Sequence, residues 1–207
     1  MTPQAIRHLK AVDPVMVRLI GEIGPCRLEP ETRRPPFQSL VLAVAHQQLH
    51  GTAANNILMR FKKLFPGRRF PRPEDLALVT DEQIRACGFS FAKIKSIRDI
   101  AEKTLSGVVP GPREIVKLSD DEIVARLTEV RGVGRWTVEM LLIFQLGRPD
   151  VLPIDDFGVR MGFRRGYRKR EMPKPKSLLA FGERWRPYRT TAAWYLWRTA
   201  EQSKQKR

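Results

Sequence analysis

A chain of 207 residues with 42% hydrophobic content can form one sizeable domain or two small lobes around a true core, which excludes a wholly disordered protein. Thirty-eight Lys plus Arg against twenty-two Asp plus Glu leave a net charge of +16, and residues 160–207 alone hold fifteen basic and three acidic side chains. Such a field favours polyanionic partners, nucleic acid or an anionic membrane surface. The two cysteines, Cys26 and Cys87, are too few for a four-Cys zinc or iron–sulfur site and read as reduced structural thiols.

In chain order, Thr2-Pro3 and Asp13-Pro14 each set proline at a first helical position, and Gly24 closes the second of these helices. Glu29–Pro36 is a Pro/Arg-rich break. Apolar residues then recur at three and four through Phe37–Leu49, the helical period, with Gln47-Gln48-Leu49-His50 opening a loop before Gly51. Its longest apolar run, Leu40 to Ala45, is far short of a membrane span, and no signal-peptide core precedes it.

Pro66–Pro73 is the next break. Thr80-x-x-Gln83 forms a capping box, Gly88 ends the segment it opens, and Ile94–Leu105 is helical up to Gly107. A second capping box, Ser119-x-x-Glu122, starts Ile123–Val130, and Trp136–Leu146 follows and ends at Gly147. Arg168–Lys176 is a Lys/Pro-rich connection, and Lys204–Arg207 reads as a disordered basic tail. The pattern amounts to about ten short helices and no strand, an all-α chain.

Between two of these helices lies Gly132-Val133-Gly134. A turn with so little side chain leaves uncovered the amides that open the second helix, and the positive end of the helix dipole lies there too. An oxyanion such as phosphate can approach them directly. By itself the triplet also describes an ordinary helix–helix turn closed by glycine.

Its surroundings narrow the choice. Leu127 and Val130 before the glycines and Thr137 after them resemble a helix–hairpin–helix motif, about residues 120–146. Gly147-Arg148-Pro149-Asp150 and then Asp155-Asp156-Phe157-Gly158 follow in the order of the helix–hairpin–helix, Gly/Pro-rich, catalytic-Asp superfamily of DNA glycosylases (HhH-GPD). Phe37–Leu40 leading to Gln47–His50, Gly88–Lys93 and Glu183–Arg189 resemble its 3-methyladenine DNA glycosylase II branch.

This resemblance implies a two-lobed helical bundle, with 37–147 as the lobe carrying the hairpin and 1–36 plus 148–207 as the other, and an active site in the cleft. Only about 36 residues precede the shared region, so the extra N-terminal α+β domain of some relatives is expected to be absent.

The implied chemistry is hydrolysis of the N-glycosidic bond of alkylated bases, such as 3-methyladenine or 7-methylguanine, in duplex DNA. A fixed carboxylate stabilises positive charge developing on the sugar. Spacing alone does not separate Asp155 from Asp156; alignment with the family's Asp-Leu-Gly-x-Arg/Lys run points to Asp156, leaving Asp155 as helix cap or helper. Bifunctional members carry a nucleophilic lysine where this chain has Trp136, so no strand nicking is expected.

Trp136, Phe157 and Trp197 match positions that hold the extruded base. Gln48 resembles the residue that plugs the gap, and His50 a groove contact. Gly132, Val133, Gly134, Arg135 and Thr137 correspond to the DNA-gripping hairpin, and Arg160, Arg164, Arg165 and Arg168 are either backbone-tracking or simply solvated.

Carbonyls of Thr128, Val130 and Val133 would hold a structural Na⁺ or K⁺; no cofactor is required. Double-stranded DNA containing alkylated bases is the expected partner, with no membrane involvement. A monomer in an intracellular location, such as a bacterial cytoplasm, is expected. Two rivals remain at this level: a non-catalytic protein that recognises damaged DNA, and a glycosylase for uracil, mismatched or oxidised bases.

Overall fold

The computed structural model describes residues 2–202, so the expected Lys204–Arg207 tail lies outside the described residues. Among these there are twelve α-helices, two 3₁₀ turns and no strand. The chain runs α1 (Pro3–Val12), α2 (Pro14–Ile23), α3 (Pro36–His46), α4 (Gly51–Lys63), a 3₁₀ turn (Glu74–Leu78), α5 (Asp81–Ala86) and α6 (Phe91–Leu105). It continues through α7 (Pro112–Ile115), α8 (Asp120–Thr128), α9 (Arg135–Phe144), α10 (Phe157–Gly166), α11 (Pro175–Gly182), a 3₁₀ turn (Glu183–Trp185) and α12 (Arg189–Gln202). The count exceeds the sequence reading of about ten in part because a helix such as α7, at four residues, is too short to display a helical period.

Local chemistry sets most of the helix starts. Thr80 and Ser119 each accept a backbone N–H three residues on, while Gln83 and Glu122 reach back to complete the boxes. Asp13 caps α2 through Val15 N–H at 2.9 Å. The expected terminators Gly24, Gly88, Gly107 and Gly147 all have positive φ.

The chain forms two compact units: Thr32–Leu141, and the described residues on either side of it. In the Thr32–Leu141 unit, α3 packs on α6 and α4, and the apolar faces of these helices bury Leu40, Val44, Phe61, Ile94 and Ile97.

In the flanking unit α12 packs on α10, α2 and α1. Three glycines four residues apart, Gly158, Gly162 and Gly166, form the α10 face of that contact. A Cβ on Gly162 would lie 1.9 Å from the Leu196 carbonyl oxygen, one on Gly158 2.8 Å from Trp197 Cδ1, and one on Gly166 3.1 Å from Leu19 Cδ1. Removing side chains lets the two helices approach closely enough for backbone to touch backbone.

Asp13 is fully buried in this unit, which would be costly for an unpartnered carboxylate. Besides capping α2, it accepts hydrogen bonds from Tyr167 Oη at 2.5 Å and Trp185 Nε1 at 2.9 Å. Phe163, Phe181 and Trp185 surround Tyr167. Burial and the Asp13 carboxylate push the Tyr167 phenol well above its usual range. Tyr195, also buried, donates to Gly24 O at 3.0 Å, and burial pushes its pKa up to about 12.

Two outcomes follow. Replacing Gly162 with Ala gains intrinsic helix propensity, but the added Cβ has no room against the α12 backbone; denaturant unfolding should show a loss on the order of 3 kcal/mol. For Tyr195 the folded pKa lies above the unfolded value of about 10. Its contribution is therefore whole below about pH 10 and declines as pH rises through about 12. Unfolding midpoints measured from pH 8 to 12 should fall less steeply at the alkaline end in Tyr195→Phe than in the parent protein.

Candidate active site

The segment that delivers the aspartates is an irregular stretch from Gly147 to Asp156, and its first part is tied to the start of α12. Arg189 Nε donates to Asp150 Oδ1 at 2.7 Å and its Nη2 to Asp150 O at 2.9 Å, while Arg186 Nη1 reaches Asp150 Oδ2 at 2.9 Å. Thr190 donates its hydroxyl to Arg148 O and its N–H to Pro149 O, and accepts the Val151 N–H. The loop's free backbone groups thus find partners some forty residues away, and its conformation is set by α12.

At the end of this loop Asp156 is the N-cap of α10. Its Oδ1 accepts the Val159 N–H at 2.8 Å and the indole N–H of Trp197 at 2.7 Å. The expectation that Asp155 would supply the cap is corrected: the helix begins at Phe157, so the geometry of an N-cap falls on Asp156 and leaves Asp155 exposed one residue earlier. Capping restrains this side chain. It fixes a half-buried carboxylate by two charge-assisted donors, one from the backbone and one from a side chain.

Trp197 belongs to the same cluster, but with a further role that its sequence position did not reveal. Its indole lies across Gly158, and its ring centroid is 5.5 Å from that of Phe144. Phe157 is 68% exposed, on the first turn of α10. An aromatic surface and an oriented carboxylate therefore occur together in this unit.

The other expected site residues lie in the Thr32–Leu141 unit. Between α8 and α9 the turn holds Val130 and Val133 inward as buried apolar plugs, while Gly132, Gly134, Arg135 and Trp136 are exposed. The two glycines are required for different reasons. Gly132 has φ +75°, and a Cβ there would sit 2.5 Å from Ser96 Oγ. At Gly134 a Cβ would meet no protein atom within 4 Å, so glycine is not demanded by the protein's own packing. It leaves bare the amide end of α9, where the first turn has no intrahelical acceptor.

Arg135 points outward and pairs with Glu139 at 3.1 Å. Trp136 is 46% exposed on the first turn of α9. Thr137 is 6% exposed and lies on the inner face of α9, so the group it has near the helix start is its backbone N–H.

Gln48 and His50 are both exposed. Gln48 has φ +57°, in the left-handed region, and His50 is the N-cap residue of α4 without a capping side-chain bond. Of the arginines after Asp156, Arg160 donates to Pro173 O at 3.0 Å and Arg165 to Ala200 O at 2.5 Å. Arg164 and Arg168 lie at and just beyond the end of α10.

No cluster of three His, Cys, Asp or Glu side chains capable of holding a metal occurs among the described residues. The Thr128, Val130 and Val133 carbonyls stand at the C-terminal end of α8 and in the turn after it; the Val130 oxygen accepts the Val133 N–H at 3.0 Å. A neutral carbonyl set of this kind suits a hard monovalent cation, which would neutralise the negative end of the α8 dipole. Cys26 and Cys87 are free thiols, and burial raises both pKa values, as expected for structural cysteines.

Sequence reasoning assigned no role to Arg189, Thr190 or Asp150. Their connection spans about forty positions and leaves no periodic trace. The spacing of Gly158, Gly162 and Gly166 was a readable signal for a close helix contact and was the clue that could have placed α12, with Trp197, beside Asp156.

The family model described as HhH-GPD superfamily base excision DNA repair protein matches residues 41–187. DNA-3-methyladenine glycosylase 1 of Schizosaccharomyces pombe is 45% identical over 195 residues, spanning 94% of this chain and 86% of that protein. A solved structure of the S. pombe 3-methyladenine DNA glycosylase in complex with abasic DNA superposes with a TM-score of 0.84 at 44% identity, covering 96% of this chain and 97% of that one. The crystal structure of a DNA-3-methyladenine glycosidase from Bacillus halodurans gives a TM-score of 0.88 at 34% identity, with 99% and 92% covered. The chain belongs to the HhH-GPD superfamily of base excision DNA repair proteins.

Proposed function

We propose that this protein is a monofunctional DNA glycosylase that removes alkylated bases, such as 3-methyladenine or 7-methylguanine, from duplex DNA by hydrolysis. The observation that carries the reading is the Asp156 carboxylate, clamped by Val159 N–H and Trp197 Nε1 at the start of α10. Relatives that share nearly the whole chain are named as 3-methyladenine glycosylases, which supports the substrate class.

Alkylation at N3 or N7 makes a purine cationic and therefore a good leaving group. What the enzyme must add is stabilisation of the positive charge that grows on the sugar as the C1′–N bond lengthens. An anion with few rotational choices does this without reorganising during the reaction, and it can orient the water that attacks C1′. Trp136 stands where bifunctional relatives carry a lysine, and an indole cannot form a Schiff base; the product is an abasic site in an unbroken strand.

The target atom is inaccessible inside the duplex, so the nucleotide must leave the stack. Trp136, Phe157 and Trp197 are assigned to the extruded base, with indole faces attracting a cationic purine by about 1–2 kcal/mol when desolvated. Gln48 is assigned to the vacated space and His50 to the adjoining groove. The amides at Gly132–Arg135 are assigned to a phosphate, and the Thr128, Val130 and Val133 carbonyls to a Na⁺ or K⁺ that would steady the hairpin. This substrate puts the enzyme inside the cell, in a bacterium in the cytoplasm.

Replacing Asp156 with Asn keeps size and can keep the cap while removing the charge. Release of 7-methylguanine from methylated duplex should drop by about a hundredfold or more, whereas affinity for the same duplex should persist; base release at the parental rate would remove Asp156 from the mechanism. Ala at Gly134 should leave the unfolding midpoint unchanged, since its Cβ meets no protein atom. Fluorescence anisotropy on duplex DNA should nevertheless show affinity falling by about tenfold, as the methyl group blocks a phosphate from the amides. Unaltered affinity would show that the hairpin is not the phosphate clamp.

A further inference from the structure

One face of α6 carries polar residues at intervals of three, three and four: Lys93, Ser96, Asp99 and Lys103. Each engages a backbone feature of either the hairpin or the Gln47–His50 loop. Lys93 Nζ donates to Ala45 O at 2.9 Å and Gln47 O at 2.8 Å. Ser96 packs against Gly132, where a Cβ would sit 2.5 Å from its Oγ. Asp99 Oδ2 accepts the Arg131 N–H at 2.6 Å, and Lys103 donates to Glu129 O and pairs with Asp99 at 3.6 Å. A further bond closes the arrangement: Gln47 Nε2 donates to Gly132 O at 2.9 Å, joining the loop to the hairpin.

We infer that Lys93 and Gln47 are positioning residues for Gln48, and that the polar stripe of α6 is the gauge that sets the distance between the hairpin and the residue that fills the gap. This rests on the glycosylase reading above, in which Gln48 enters the space left by the extruded nucleotide. Gln48 is held in a left-handed conformation that a non-glycine residue adopts only when its neighbours impose it. Its own side chain is exposed, so the imposition comes through the backbone on either side. Lys93 supplies it by fixing the carbonyl immediately before Gln48, and Gln47 by anchoring its side chain to the hairpin.

A lysine that merely capped the C-terminus of α3 would explain the bonds to Ala45 and Gln47 oxygens. It would not require Gln47 to reach Gly132. With both contacts present, a phosphate gripped by the hairpin and a nucleotide gap probed by Gln48 are measured from one rigid helix. The loop is pre-organised, so the ordering of Gln48 does not have to be paid from the energy of base extrusion.

The test compares two substrates that contain the same 7-methylguanine: one opposite cytosine in a full duplex, one in a single-nucleotide bulge, where extrusion leaves no hole between paired neighbours. Single-turnover excision is measured for the parent protein, Lys93→Met, Lys93→Arg and Gln47→Met. Loss of hydrogen bonds to the loop should slow excision from the full duplex by about tenfold or more in Lys93→Met and Gln47→Met, with little loss on the bulge. Lys93→Arg, which keeps a cationic donor, should recover most of the duplex rate.

Equal losses on both substrates would indicate general damage and overturn the positioning role, as would an unchanged duplex rate. Gln47→Met, at a half-exposed side chain, carries the comparison if Lys93→Met does not fold. Amide hydrogen exchange over residues 47–50 reads the same proposal without catalysis: exchange should accelerate in both Met variants, and unchanged protection would overturn it. A parent protein that released no methylated base would instead refute the glycosylase reading, with the exchange result still deciding the loop.

Discussion

The close crossing of α10 and α12 at Gly162 is the constraint on which the placing of Asp156 depends. Because no side chain separates the helices there, Leu196 brings its backbone against α10, and the next residue, Trp197, arrives over Gly158 with its indole N–H aimed at Asp156. The same α12 begins at Arg189 and Thr190, which hold the loop that leads into the aspartate. One helix therefore fixes both the approach to the carboxylate and a hydrogen-bond donor to it. A second donor, Val159 N–H, comes from α10 itself. Such restraint would serve the role proposed for Asp156, since a mobile carboxylate would lose part of its stabilising effect to solvent.

The hairpin shows the same division between residues required by the fold and residues left open for a ligand. Val130 and Val133 turn inward, Gly132 makes room for Ser96, and Asp99 takes the Arg131 N–H, so the turn's protein-facing groups are partnered. On the other side Gly134 has nothing around it. A small residue that the interior does not require and that borders the amide end of a helix is what an oxyanion-binding turn needs.

The basic character of the chain serves structure and partner together. Several cations donate to neutral carbonyl oxygens: Arg60 to Cys87, Arg160 to Pro173, Arg165 to Ala200 and Lys93 to Ala45 and Gln47. Many of these oxygens lie at helix ends, where a cation is favoured by the dipole. A carbonyl fixes the position of the charge without neutralising it. The excess of Lys and Arg is thus kept as a field that attracts phosphate while the same groups close the ends of helices.

Much of the architecture was legible locally. Capping boxes at Thr80 and Ser119, prolines at residues 3 and 14, and glycines at 24, 88, 107 and 147 act over three or four residues, so the sequence by itself determined the all-α class and the ends of these helices. The order of hairpin, Gly/Pro loop and aspartate determined the family. Only the tertiary structure decided that Asp156 rather than Asp155 caps α10, that Thr137 faces inward, that Trp197 holds the carboxylate, and that Lys93 and Gln47 tie the Gln48 loop to the hairpin. Each depends on groups separated by tens of residues or on which face of a helix a neighbour covers. Packing and long-range hydrogen bonds set those relations, and they leave no period along the chain to read.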